Sequence, residues 1–209
     1  FVILFDIETA APLALMHEYY LSGMRVGATS GLCVDQVAPK DVKTLGLFGT
    51  GKQAGSAFDA INTVRDFERV IVYSPNPEHR EMFVTEKRKQ WGDKVEVIMA
   101  DTPDAPVKGA HVICCCTTAM EPVFDGNLLE DGQLVVSIAN SDSTNKKRTE
   151  VDEATYAKAT NIIVNDWESV IDNDQTELLE PLDAGTIKRE SIVELGDIIA
   201  GKETVKSGG

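Results

Sequence analysis

Apolar residues open the chain as a run, Phe1-Val2-Ile3-Leu4-Phe5, and return from Pro12 to Met16 after the turn region Asp6-Ile7-Glu8-Thr9-Ala10. Two short apolar runs joined by a polar turn predict a β-hairpin. From about residue 17 to 37 the spacing changes, and Tyr20, Leu21 and Met24 recur at helical intervals. The same segment carries Gly23, Gly27, Ala28, Ser30 and Gly31, a set of small residues that lets another backbone come close. Glycine weakens a helix, so several in one helix call for a packing or ligand reason. Ala38-Pro39-Lys40-Asp41 then ends it.

Beyond this point apolar strands alternate with helical segments. Strands are predicted at 44–48, 70–73, 95–99, 111–116, 133–138 and 161–164. Helices are predicted at 52–66, 78–91 and 150–159, with a short one near 104–108. Residues 167–202 read as mostly helix, broken at Pro181 and Gly185. Such alternation implies βαβ units and an α/β fold around a parallel sheet.

The turn after the first strand of this series reads Gly49-Thr50-Gly51-Lys52-Gln53-Ala54. This is G-x-G-x-x-A, with a strand before it, a helix after it and a strand again within about 25 residues. A plain βα turn with two glycines is the alternative, and the strand–helix–strand context argues for a Rossmann-type doubly wound sheet that binds a dinucleotide. The first glycine would make the tight turn, the second would let the backbone approach a pyrophosphate, and the alanine would let helix and strand pack closely. The helix start, with Thr50, Lys52 and Gln53 in the turn, would offer free N–H groups to the phosphates.

The next strand ends in Ser74-Pro75-Asn76-Pro77, so Ser74 stands where an NAD site presents a carboxylate to the ribose. Without that negative charge a 2′-phosphate is not repelled, and NADP is expected in preference to NAD. Asn76 and Pro77 read as the cap and first residue of the following helix. Ser74 and Arg80 would be donors to the phosphate, the alternative being that Arg80 is a solvated helix residue.

Composition narrows the partners. The 209 residues carry 20 Lys and Arg against 34 Asp and Glu, a net charge of −14, which argues against nucleic acid. Hydrophobic residues make up 43%, enough for a core. No apolar run approaches the roughly 20 residues of a membrane span. Asp6 and Glu8 directly behind the first apolar run are unlike a secretory leader. The four cysteines are Cys33 and the run 114–116, which has neither disulfide-framework nor zinc-site spacing. No metal is expected, and a reduced, cytoplasmic setting is. Phe at position 1 and Lys206-Ser207-Gly208-Gly209 at the end point to part of a longer chain.

Several segments together resemble the ornithine cyclodeaminase/mu-crystallin family: the hairpin, Met24-Arg25-Val26-Gly27-Ala28-Thr29-Ser30-Gly31, the 49–54 loop, Thr117-Thr118-Ala119-Met120-Glu121-Pro122-Val123, Lys147-Arg148-Thr149-Glu150-Val151-Asp152 and Glu194-Leu195-Gly196-Asp197. The resemblance covers nearly the whole chain in the family's order. The stretch 73–80 is most similar to members described as the second subunit of a tyramine oxidase. The family implies a longer parent, in which a Rossmann domain is paired with a substrate and dimerisation domain built from both chain ends. On that basis residues 1–37 would be the remnant of the second domain and its connecting helix, residues 38–209 the NAD(P)-binding domain with its following helices, and the protein a homodimer.

The resemblance also implies site residues. Arg25 matches the family arginine between substrate carboxylate and nicotinamide, and a guanidinium suits a carboxylate. A surface helix arginine is the alternative, against which the small residues Gly27, Ala28 and Ser30 imply a crowded face. Thr117 and Thr118 close a strand where ligands bind in parallel sheets, and would contact the cofactor on its nicotinamide side. Cyclodeaminases carry an acid/base aspartate after the fifth strand. Here Ser141 takes that position and Asp142 follows, either as a displaced acid/base group or as a loop carboxylate. That departure disfavours cyclodeamination. The expected function is an NAD(P)-dependent reductase or dehydrogenase acting on a small imine or amino acid. The alternatives are a cyclodeaminase recycling NAD and a non-catalytic NADP-binding accessory subunit of an amine oxidase.

Overall fold

The computed structural model describes residues 1–139 and 147–205. Strands β1 (Val2–Phe5) and β2 (Pro12–Met16) form the expected antiparallel hairpin, with Val2 opposite Met16. Its turn is closed by Asp6, whose Oδ1 accepts from the amides of Glu8 and Thr9 at 3.1 and 2.7 Å and from the Thr9 hydroxyl at 2.8 Å. Short polar side chains fold turns in this way by standing in for a backbone acceptor. Ile3, Phe5, Leu13 and Leu15 on the hairpin are exposed.

Helix α1 (Glu18–Val37) stops at Ala38, where the following Pro39 disfavours helical backbone. It buries Gly23, Gly27, Ser30, Gly31 and Val34. A Cβ on Gly27 would stand 2.5 Å from the carbonyl oxygen of Ser56, in helix α2 (Lys52–Val64). The small residues therefore serve close helix packing. Arg25 and Ala28 are exposed, outside that buried set. This corrects the expectation that Arg25 shares a crowded face with Gly27, Ala28 and Ser30: a turn of 3.6 residues puts position 25 on the side of the helix away from 23, 27 and 31.

The central sheet is built from β3 (Thr44–Phe48), β4 (Arg69–Tyr73), β5 (Glu96–Met99), β6 (Val112–Cys115) and β7 (Leu134–Ser137), with helix α3 (Pro77–Trp91) between β4 and β5. Among the described residues all five strands run parallel in the order β5-β4-β3-β6-β7. The chain thus builds outward from β3 to one edge, then returns to add β6 on its other side. That reversal opens a crevice beyond the carboxyl ends of β3 and β6.

Leu45, Leu47, Phe58, Ile61, Val72, Cys114 and Cys116 pack on one face of the sheet. Phe48, Val107, Ile113, Cys115 and Phe124 pack on the other. The cysteine run alternates between the two cores, as successive strand side chains must. All four cysteines are free thiols.

The remaining elements are α4 (Glu153–Lys158), β8 (Ile162–Val164), α5 (Trp167–Asp172), α6 (Thr176–Asp183), β9 (Ile192–Glu194) and α7 (Leu195–Ile199). Two expectations are corrected here. Residues 104–108 are a series of turns, with the Val107 and Lys108 amides donating to the Asp104 carbonyl. The segment is pressed so close to the sheet that a Cβ on Gly46 would overlap the Pro106 carbonyl. The C-terminal stretch is helical over more than half its length, as expected, but it also holds an unforeseen strand, Ile192-Val193-Glu194, which pairs in parallel with Ile162-Ile163-Val164. Pro181 lies within α6 and does not break it, whereas Gly185, at φ +76°, ends it. Among the described residues no helix is long and apolar enough to cross a membrane.

Candidate cofactor and substrate site

Gly49 leaves β3 with φ +103°, a conformation that favours glycine. Its amide donates to the carbonyl of Tyr73 at 2.8 Å. A Cβ would overlap the carbonyl oxygen of Cys116. The turn is therefore threaded between the ends of β4 and β6, at the crevice.

Gly51 behaves differently. It caps α2 without a side-chain hydrogen bond, and a Cβ there would meet nothing within 4 Å. Packing does not demand glycine at this position, yet the open space lies directly before the unpaired N–H groups of the first turn of α2. Gln53 adds an Oε1 that is buried without a hydrogen-bond partner among the described residues. Ala54 is fully buried against the sheet. The Lys52 ammonium stands 4.5 Å from the centroid of the Tyr19 ring, and Thr50 is half-buried in the turn. Open space at a helix N-terminus, ringed by unpaired donors and one orphaned acceptor, fits the pyrophosphate of a dinucleotide.

At the end of β4, Ser74 is half-buried. Asn76 caps α3 by accepting from the His79 amide at 3.1 Å, and Pro77 takes the first helical position, as expected. Arg80 is not the solvated residue of the bland alternative. It is 8% exposed, its Nη1 donates to the Ser74 carbonyl at 2.6 Å, and its guanidinium lies 5.3 Å from the Tyr73 ring centroid. Its Nε has no partner among the described residues. The cation is drawn beneath the turn that would meet the ribose.

The ends of β6 and β7 are joined by a carboxylate. Glu150 has no exposure. Its Oε1 accepts from the amide and hydroxyl of Thr117 at 2.5 and 2.7 Å, and its Oε2 from the Ser137 hydroxyl and the Ile138 amide, both at 2.9 Å. The hydroxyl proton of Thr117 is thus committed inside the protein, so a contact of this hydroxyl with the cofactor would use its oxygen as acceptor. Thr118 is exposed at the same strand end. Glu177 Oε1 lies 2.6 Å from Ser137 Oγ, while its Oε2 accepts from the amides of Glu150 and Val151. Burial pushes the Glu177 carboxyl above its ordinary range.

Gly49, Thr50, Gly51, Lys52, Gln53, Ser74 and Arg80 are thus gathered with Thr117 and Thr118 around the carboxyl edge of the sheet. Arg25 stands on the exposed side of α1, joined to none of them by a hydrogen bond or ion pair. Asp142 and Ser141 lie outside the described residues. Sequence reading missed the Glu150–Ser137–Glu177 cluster because it placed Glu150 inside a helix. The signal was Asp152 followed by Thr155, an N-cap pair that starts α4 two residues after Glu150.

A model of the ornithine cyclodeaminase/mu-crystallin family matches residues 1–207. The chain belongs to this family. It is 34% identical over 203 residues to a Delta(1)-pyrroline-2-carboxylate reductase of Bacillus cereus, a match covering 97% of this chain and 60% of that protein. The structure of Thermococcus litoralis Delta(1)-pyrroline-2-carboxylate reductase in complex with NADH and L-proline superposes with a TM-score of 0.89 at 30% identity, over 99% of this chain and 62% of that one. The iminosuccinate reductase of Paracoccus denitrificans in complex with NAD+ gives 0.83 at 25% identity, over 96% and 59%. This family member therefore spans 60% of the length of the first of these relatives.

Proposed function

We propose that this member of the ornithine cyclodeaminase/mu-crystallin family is part of an NAD(P)-dependent oxidoreductase that reduces a small imine to an amine or amino acid. The observation that carries the reading is the Gly49–Ala54 turn at the sheet's reversal point, with open space at Gly51 before the free amides of α2. Similarity to reductases named for pyrroline-2-carboxylate and iminosuccinate supports a substrate that carries both a C=N bond and a carboxylate.

The roles follow from chemistry. Backbone amides from Gly51 to Gln53 would hold the pyrophosphate. When bound, the reduced nicotinamide cofactor supplies a hydride. Ser74 and the Arg80 cation below it leave the ribose end uncharged or positive, which favours NADPH over NADH. Thr118 would face the nicotinamide side. Arg25 would clamp the substrate carboxylate, and Asp142 or solvent would furnish the proton that completes imine reduction. The exposed apolar hairpin supports assembly as a homodimer, and four free thiols are consistent with a reducing, cytoplasmic setting.

The test is turnover by the full-length protein with NADPH or NADH and small imine carboxylates, Delta(1)-pyrroline-2-carboxylate first. The reading expects stoichiometric consumption of reduced cofactor. Ammonia release from ornithine without net cofactor change would instead mark a cyclodeaminase. Tight cofactor binding with neither activity across the imine series would mark an accessory subunit.

A further inference from the structure

Four donors converge on Glu150, two on each oxygen, which is the full acceptor capacity of a carboxylate. These donors belong to two neighbouring strands. Thr117 follows β6, and Ser137 and Ile138 close β7. Strands β6 and β7 pair up to Cys115 and Ser137, and the single Ile138 N–H is shared between the Cys115 carbonyl at 3.2 Å and Glu150 Oε2 at 2.9 Å. Beyond that point the Glu150 side chain takes the place of the ladder. It fills the gap between the two strand ends.

The second carboxyl is explained by counting protons. Ser137 has one hydroxyl proton but lies within hydrogen-bond distance of Glu150 Oε2 and Glu177 Oε1, while accepting from the Ala139 amide at 3.3 Å. One proton cannot serve two carboxylates. The Glu177 contact needs a proton of its own, on Oε1, donated to Ser137 Oγ, which donates onward to Glu150. The other Glu177 oxygen is already filled by two backbone amides.

Strands β6 and β7 lie across the reversal point from β4. In a doubly wound sheet the two halves of a dinucleotide lie on either side of that point, with the adenosine ribose at β4. The carboxyl ends of β6 and β7 therefore flank the nicotinamide half. We propose that Glu150 is a positioning residue for the nicotinamide end of the cofactor, spreading the ends of β6 and β7, and that Glu177 locks it there as a neutral acid through Ser137. This rests on the dinucleotide-binding reading above.

Glu177 borders a cavity of about 300 Å³ lined by Thr149, Asp152, Tyr156 and Glu180 among others. The groups facing it are Glu150, Cys115 at the end of β6 and Tyr156 on α4, with the Lys147–Glu180 ion pair, Asp152 and Glu153 around the cavity. Glu150, Cys115 and Tyr156 offer no cation to offset a second carboxylate, so ionising Glu177 would set a negative charge beside Glu150 and break the link to Ser137.

The experiment uses the full-length protein and needs no substrate. Binding of the preferred reduced cofactor is compared with binding of the same molecule lacking nicotinamide, which is ADP-ribose for NADH and its 2′-phosphate for NADPH. Glu150→Gln puts an NH₂ group among donors. It should weaken the whole cofactor roughly tenfold, the size of one charge-assisted hydrogen bond, and leave the nicotinamide-free ligand within about twofold. Ser137→Ala should show the same one-sided loss. Glu177→Gln keeps a neutral donor toward Ser137, so it should match wild type near neutrality and abolish the weakening that wild type shows as pH rises.

Equal loss for both ligands in Glu150→Gln would reduce its role to folding and overturn the proposal. So would an alkaline weakening that persists in Glu177→Gln. Should Glu150→Gln fail to fold, Ser137→Ala and Glu177→Gln decide between the same outcomes. A folded wild type that binds neither cofactor overturns the dinucleotide reading, and the positioning role falls with it. A wild type that binds while Glu150→Gln equals it overturns the positioning role alone.

Discussion

Gly49 runs so close beneath the end of β6 that any side chain on it would overlap the carbonyl oxygen of Cys116. Its φ of +103° adds strain for any other residue, of order 1–3 kcal/mol. Gly49→Ala should therefore lower the unfolding free energy by at least that amount, measured by urea denaturation. Gly51→Ala meets no protein atom and should cost less than about 1 kcal/mol, the scale of an N-cap change. Two glycines two residues apart should separate folding from binding. Equal destabilisation by both would contradict the open space at Gly51.

Arg25 is exposed, and its guanidinium bonds to nothing among the described residues. Arg25→Ala should leave the melting temperature unchanged. If the side chain clamps a substrate carboxylate, loss of a contact worth about 1.5–3 kcal/mol raises KM roughly 10- to 150-fold. Steady-state kinetics with the imine carboxylate checks this, and unchanged KM and kcat would remove Arg25 from the site.

Burial holds the Glu177 carboxyl above its ordinary value of 4.5, so the folded protein keeps a proton that the unfolded chain releases. The folded state then binds more protons than the unfolded one, and stability falls as pH rises from the ordinary carboxylate value through the raised one. Glu177→Gln carries no such proton. Its stability should decline less than that of wild type as pH rises above the ordinary carboxylate value of 4.5. Parallel stability profiles from denaturant titrations would show that Glu177 is ionised in the native state.

Much of the fold was legible. Strands β3, β4, β6 and β7 are apolar runs bounded by turn residues, and the G-x-G-x-x-A spacing marked the reversal point. Pairing between distant segments was not legible. Ile192-Val193-Glu194 is too short for a periodic signal, and only the distant Ile162-Ile163-Val164 makes it a strand. The turns at 104–108 owe their shape to the sheet they press against at Gly46. Of the site, the turn residues could be read locally because a tight turn writes its own requirements into glycine. Glu150 could not, since its importance comes from donors on two strands that lie 33 and 13 residues away.

The cysteines should be silent. Burial pushes Cys33 up to about 11 and Cys115 well above the ordinary thiol range; Cys116 is raised first by its contact with Cys114, then by burial. Thiolate is the reactive form, and at pH 8 these groups hold very little of it. A chromogenic disulfide reagent should label the native protein slowly and all four thiols after denaturation. Rapid native labelling would contradict the packing of residues 114–116 in the two cores.

The most direct measurement is a fluorescence titration of the folded full-length protein with NADPH and NADH, beside Gly51→Ala. We expect saturable binding, tighter for NADPH, and at least roughly tenfold weaker in the variant, as loss of close backbone contact to the pyrophosphate requires. NADH binding tenfold tighter than NADPH would contradict the reading of Ser74 and Arg80. No binding of either by a protein whose circular dichroism shows it folded would contradict the assignment of the Gly49–Ala54 turn as a dinucleotide site.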